Sequence, residues 1–110
     1  MLSIKILSTR VDDVASDELS RLVDNFVSDG NTHHIITANP LMILETQKNT
    51  ELQKVFEHSS LVLPESTGVF LAAKFLGTPL KEKIPGIDFM LFLLNYAQQN
   101  GRAVFFLGAK

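Results

Sequence analysis

Cysteine and tryptophan are absent from the 110 residues, and tyrosine occurs once. Without cysteine there can be neither a disulfide framework nor a thiolate zinc site, which is compatible with a cytoplasmic location. Charge of one sign is not gathered anywhere: 10 Lys and Arg stand against 12 Asp and Glu, for a formal net charge of −2. Nucleic-acid binding usually needs a clustered basic surface, so no nucleic-acid partner is expected. Long hydrophobic runs are missing too. The longest, Phe89 to Leu94, falls far below the roughly 20 apolar residues of a membrane span. Lys5 and Arg10 interrupt the apolar residues near the start, so no signal peptide is read there. Membrane contact is therefore expected to be peripheral. The common phosphate-cradling fingerprints, Gly-x-x-x-x-Gly-Lys-Ser/Thr and Gly-x-Gly-x-x-Gly, do not occur.

The remainder has the composition of a globular domain, 45% apolar and 20% charged. No repeat, low-complexity tract or linker divides it, so residues 1–110 read as one compact unit. Ile4-Lys5-Ile6-Leu7 reads as a strand, and Ser16 or Asp17 can cap the helix after it. Leu19, Leu22, Val23, Phe26 and Val27 fall at helical spacing, stopped by Asp29-Gly30-Asn31. A buried strand over His34-Ile35-Ile36-Thr37 ends at Asn39-Pro40, and helices follow from Leu41 to about Lys48 and, capped by Thr50, to His58. Leu61-Val62-Leu63 is a third strand cut by Pro64. Ser66 leads into a helix from Thr67 to Leu76, and the longest helix runs from Gly86 to Asn100. Its apolar residues lie almost all round, which predicts burial on both sides. Ala103 to Leu107 reads as a fourth strand, and Gly108 opens a turn with no covering helix after it.

Short apolar strands alternating with helices indicate an α/β fold: a mostly parallel sheet, about four strands, with helices on both faces. Ligands of such sheets bind outside the strands' carboxyl ends. That directs attention to Thr37-Ala38-Asn39-Pro40, to Pro64-Glu65-Ser66-Thr67-Gly68 and to Gly108-Ala109-Lys110. At such an edge Glu65 can serve as a general base; it can equally be a first-turn acid facing a helix dipole. Thr37 and Asn39 can orient a polar substrate, or form a turn and a helix cap with Pro40 at the first helical position. Thr67 and Gly68 bring amides to a helix N-terminus, where anions bind. Asp88, near the start of the long helix, reads first as a cap. No metal site is expected, because adjacent His33 and His34 would point to opposite faces of a strand and His58 sits at a helix end.

Taken in order, several stretches resemble the WecG/TagA/CpsF family of bacterial glycosyltransferases. They are Ile36-Thr37-Ala38-Asn39-Pro40, Leu61-Val62-Leu63-Pro64, Thr67-Gly68-Val69, Leu76-Gly77-Thr78-Pro79-Leu80, Ile84-Pro85-Gly86-Ile87-Asp88 and Phe105-Phe106-Leu107-Gly108-Ala109-Lys110. The resemblance implies a Rossmann-like domain of which residues 1–110 are the N-terminal part, the C-terminal part being absent and the piece alone inactive. It implies transfer of N-acetylmannosamine, or a related sugar, from a UDP donor. The acceptor would be a lipid-diphosphate-linked N-acetylglucosamine at the cytoplasmic membrane face, in teichoic acid, capsule or related polysaccharide synthesis. It further implies inversion at the anomeric carbon and no cofactor. Glu65 occupies the position of the family's proposed base, and Thr37 that of an active-site residue beside Asn39. Ser66, Thr67, Gly68 and Asp88 complete the expected substrate-binding set.

Two departures fall at this site. Glu65-Ser66 stands where the family usually has Asp-Gly, and Leu41 where an acidic residue often follows Asn-Pro. Ser66 removes the easy left-handed conformation that glycine would allow. The alternative readings are a catalytically degenerate homologue that binds a nucleotide sugar or a partner, and a different α/β enzyme sharing only the fold. The uncovered fourth strand also predicts self-association. Sedimentation at about tens of micromolar, where micromolar pairing is populated, should show a dimer or larger species; monomer alone would oppose it.

Overall fold

The computed structural model describes residues 2–108. The chain opens with a hairpin, β1 (Leu2–Ile6) and β2 (Thr9–Asp13), paired antiparallel from Ile6↔Thr9 to Leu2↔Asp13. Its two turn residues, Leu7 and Ser8, have φ of 49° and 68°. This left-handed pair matches the twist of a two-residue hairpin. The single strand expected at Ile4–Leu7 is thus one arm of a hairpin whose second arm the sequence concealed. Leu7-Ser8 lacks the Asn-Gly or Asp-Gly signal, and Arg10, Asp12 and Asp13 look like loop residues.

The second sheet is a parallel pair, β3 (Ile35–Ala38) and β4 (Leu61–Pro64), in register from Ile35↔Leu61 to Ala38↔Pro64. Their side chains alternate between two cores. Ile36, Ala38 and Val62 join Ile6, Val11, Ile43, Phe56, Val69 and Ala73 on one side. Leu61 and Leu63, with Ile35, join Val23, Phe89, Phe92 and Tyr96 on the other. Beside Ile6 and Val11 of the hairpin, five α-helices among the described residues supply these partners: α1 (Leu19–Ser28), α2 (Pro40–Thr46), α3 (Thr50–His58), α4 (Thr67–Phe75) and α5 (Gly86–Asn100). Helices α2, α3 and α4 with the hairpin cover one face of the parallel pair, and α1 with α5 cover the other.

The hairpin is fastened to β4 through Asp12, whose residue is 1% exposed. Its Oδ2 accepts the Val62 backbone N–H at 2.8 Å and its Oδ1 the Ser3 hydroxyl at 2.6 Å. Arg10 lies over the carboxylate, Nη2 to Oδ2 at 3.3 Å and Nε to Oδ1 at 3.2 Å, and donates to the carbonyls of Glu57 and Ser59. One buried carboxylate thus satisfies a strand amide that no backbone carbonyl reaches.

Several expectations need correction. The fold is α/β with helices on both faces of its parallel pair, but the strands form two small sheets rather than one mostly parallel sheet of about four. Residues 103–107 are not a strand: Gly101 closes α5 in a left-handed conformation, φ 65°, and the chain continues without ladder pairing. A β-prone segment becomes a strand only when a neighbour accepts its hydrogen bonds. Helix α5 buries Phe89 and Ala97 but leaves Ile87 and Leu91 exposed, so it is covered on one side only. Neither Ser16 nor Asp17 caps α1. A 3-10 turn over Ser16–Glu18 precedes that helix, with Glu18 Oε1 accepting the Ala15 N–H at 3.1 Å. Asn49, not Thr50, caps α3 by accepting the Leu52 N–H at 3.0 Å. No helix among the described residues is long and apolar enough to cross a membrane.

Removing the carboxylate in Asp12→Ala strands Arg10 and Val62 N–H, and should lower unfolding free energy by about 3 kcal/mol, read by urea titration. Two carboxyls, half-buried Glu18 and exposed Asp29, contribute to the acid limb. Glu18 lies below its ordinary value of 4.5, chiefly through the Ala15 N–H, and Asp29 below 3.8, chiefly through the Asn31 N–H. Their contribution is complete above the unfolded values and is lost as pH falls through the lowered folded ones. Glu18→Gln with Asp29→Asn should therefore flatten the fall in Tm between about pH 5 and pH 3.

Candidate functional site at the carboxyl edge of the parallel pair

Because β3 and β4 are parallel and in register, Ala38 and Pro64 end side by side. The next residues, Asn39 and Glu65, are delivered to the same edge. The Glu65 N–H donates to the Ala38 carbonyl at 3.1 Å, extending the pairing one step beyond the strands. The Ile84 N–H closes on the Pro64 carbonyl at 2.8 Å, bringing the approach to α5 onto the same edge.

Each strand leads directly into a helix. Asn39 caps α2, its Oδ1 accepting the Met42 N–H at 2.9 Å, with Pro40 at the first helical position. The cap uses the amide oxygen, so the amide NH2 keeps two donors. Ser66 caps α4, its Oγ accepting the Val69 N–H at 3.3 Å. The backbone at Ser66 is extended, φ −117° and ψ 159°, so serine costs this turn nothing and no left-handed glycine is needed. Gly68 lets the two helix starts meet: a Cβ there would lie 2.8 Å from Pro40 Cγ, closer than carbon atoms pack.

Side-chain alternation turns Thr37 toward the α5 side, where it meets Gly86. A Cβ placed on Gly86 would lie 3.3 Å from Thr37 Oγ1 and 3.6 Å from both Cγ and Oε1 of Glu65. Thr37, Glu65 and the first residue of α5 therefore bound one small space. Thr37 and Gly86 also line a largely apolar cavity of about 450 Å³, with His33, Ile35, Phe89, Met90 and residues from 104–106 among its walls. Glu65 is half-buried. Helix α5 has no side chain capping its N-terminus. A carboxylate beside such an end is favoured by the helix dipole.

The expected set is thus assembled in part. Thr37, Asn39, Glu65, Ser66, Thr67 and Gly68 come to one edge. Asp88 caps nothing, is exposed in the first turn of α5, and borders a neighbouring hollow of about 330 Å³ with Ser16, Glu82 and Lys83. Thr67 accepts a hydrogen bond from Lys83 Nζ at 3.0 Å, which places a cation at the start of α4. Gly86 and Lys83 are the two residues that sequence reasoning did not assign to the site. Gly86 carried a helix-start signal and a place in a family-like stretch but no role, and Lys83 carried neither. The third segment singled out, 108–110, is described only at exposed Gly108; Ala109 and Lys110 lie outside the described residues. Two of the histidines hold scaffold contacts. His33 stacks on Phe26 with ring centroids 4.3 Å apart and bridges Ser60 and Asp29, both at 2.7 Å, while His58 bonds the Lys54 carbonyl at 2.8 Å.

Residues 4–110 match the model of the glycosyl transferase WecG/TagA/CpsF family. A Bacillus spizizenii protein named N-acetylglucosaminyldiphosphoundecaprenol N-acetyl-beta-D-mannosaminyltransferase is 32% identical over 99 residues, covering 90% of this chain and 38% of the relative. A Staphylococcus aureus protein of the same name (strain NCTC 8325 / PS 47) is 29% identical over 108 residues, covering 96% and 42%. The chain spans about two fifths of the length of these curated relatives.

Proposed function

This chain belongs to the glycosyl transferase WecG/TagA/CpsF family, and from that premise we propose that the whole protein transfers a sugar of the N-acetylmannosamine type. The donor is a UDP-sugar and the acceptor a lipid-diphosphate-linked N-acetylglucosamine, as the relatives' names suggest for the acceptor and the transferred sugar. Residues 1–110 form the N-terminal part of its Rossmann-like domain. In support of that architecture, the parallel pair has helices on both faces and residues 104–106 lie along the same cavity as β3.

The observation that carries the reading is the placement of the Glu65 carboxylate and the Thr37 hydroxyl beside Gly86, at the carboxyl edge of the parallel strands. A base must reach the proton it removes, within about 2.6–3.2 Å. In this scheme Glu65 takes the proton of the acceptor hydroxyl while its oxygen attacks the anomeric carbon from the face opposite UDP. The new C–O bond forms as the bond to the diphosphate breaks, inverting the centre and releasing UDP. Thr37 and the free amide N–H groups of Asn39 position a sugar. Lys83, held on Thr67, offsets negative charge developing on the departing diphosphate. These charges are side chains, and the scheme assigns no cofactor. The lipid acceptor places the protein at the inner membrane face by peripheral contact, and the exposed apolar residues of α5 and 104–107 favour self-association.

The test is a transfer assay on the intact gene product with UDP-N-acetylmannosamine and a soluble lipid-diphosphate N-acetylglucosamine analogue. Glu65→Gln should cut turnover by about 100-fold or more while donor binding persists. Full activity in that variant would remove Glu65 as the base. Donor binding without turnover in the parent would favour a degenerate binding homologue.

A further inference from the structure

Glycine is used for two different reasons in this chain. At Gly30, Gly77, Gly101 and Gly108 the backbone has positive φ, and a Cβ there would meet nothing within 4 Å. Gly86 is the reverse case. It is absent from the positive-φ residues, sits at the first position of a 15-residue helix, and has close neighbours instead. A side chain is compatible with its backbone, and alanine is the better helix former by up to about 1 kcal/mol. Backbone conformation therefore does not explain the glycine; the space does.

That space adjoins both groups assigned to the chemistry. A methyl on residue 86 would press on Thr37 Oγ1 at 3.3 Å and contact Glu65 Cγ and Oε1 at 3.6 Å. Thr37 cannot give way easily. Its χ1 is stiff because it is β-branched, and its backbone is pinned in register with Leu63. With hydrogen in place of a methyl, the space beside the Thr37 hydroxyl stays open to the cavity that Thr37 and Gly86 share. We propose that Gly86 is a positioning residue for the transfer reaction: its missing side chain leaves Thr37 Oγ1 and the Glu65 carboxylate undisplaced and keeps room beside them for the reacting hydroxyl. This rests on the functional reading above. It also accounts for how glutamate is housed at position 65, since the longer side chain reaches toward a residue that has none.

The test uses the intact protein and the variants Gly86→Ala, Thr37→Ser and the double variant. Gly86→Ala should lower kcat by about tenfold or more, a loss typical of sub-ångström misplacement, with Tm equal to or above the parent's. In the Thr37→Ser background the serine hydroxyl can rotate aside, so the same glycine replacement should cost at most about threefold, the shortfall being the coupling of a double-mutant cycle. Gly86→Ala within twofold of the parent rate would overturn the proposal, as would equal losses in both backgrounds. A second readout needs no turnover. The Glu65 ¹³C-carboxyl resonance and the Thr37 methyl resonance should both move in Gly86→Ala and stay fixed in Gln99→Ala, an exposed change on the same helix. Unmoved signals would sink the assignment of Gly86. Moved signals in a parent without transfer activity would leave the geometry intact and overturn the functional reading instead.

Discussion

A parallel pair of strands cannot stand alone, and the way its β4 edge is closed shapes this molecule. The Val62 N–H turns away from β3 toward the hairpin, where it is met by the buried Asp12 carboxylate rather than by a backbone carbonyl. A buried charge without partners is costly, and here Arg10, Ser3 and Val62 supply them. The hairpin is thereby fixed against the sheet, with Ile6 and Val11 in the core that β3, β4, α2, α3 and α4 share.

With that frame held, the functional edge follows from register. Ala38 opposite Pro64 means that two strand-to-helix turns emerge together, each with its own cap, Asn39 and Ser66. Both caps satisfy helix amides that would otherwise lack partners. The close approach of Pro40 and Gly68 seats the two helix starts against each other. Helix α5 then arrives through the Ile84–Pro64 hydrogen bond, which sets Gly86 beside Thr37 and Glu65. Scaffold residues and site residues alternate along a few positions of chain, so a shift of the sheet edge would move the whole set.

Much of this was legible in the residues. The β3 and β4 segments, the five helices and the caps at Asn39 and Ser66 are written in local chemistry: apolar period, Asn-Pro, and Ser preceding an apolar helix. The carboxyl edge as the place of the site follows from parallel strands in general. What misled was the part of structure that depends on a partner. Thr9 to Asp13 has the polarity of a loop, yet it is a strand because Asp12 and Arg10 are neutralised in the interior. Residues 103–107 have the composition of a strand, yet none forms without an adjoining ladder.

The sequence by itself determined the β3 and β4 segments, the five helical segments, the caps Asn39 and Ser66 and the location of Thr37, Asn39 and Glu65 at strand ends, because each depends on neighbours within a few residues. Only the tertiary structure decided which of these meet. It set Asp88 beside a neighbouring hollow, brought Lys83 onto Thr67, and put Gly86 against Thr37 and Glu65. Such meetings join residues far apart in the chain through strand register and helix packing, and no local pattern encodes a distance between them.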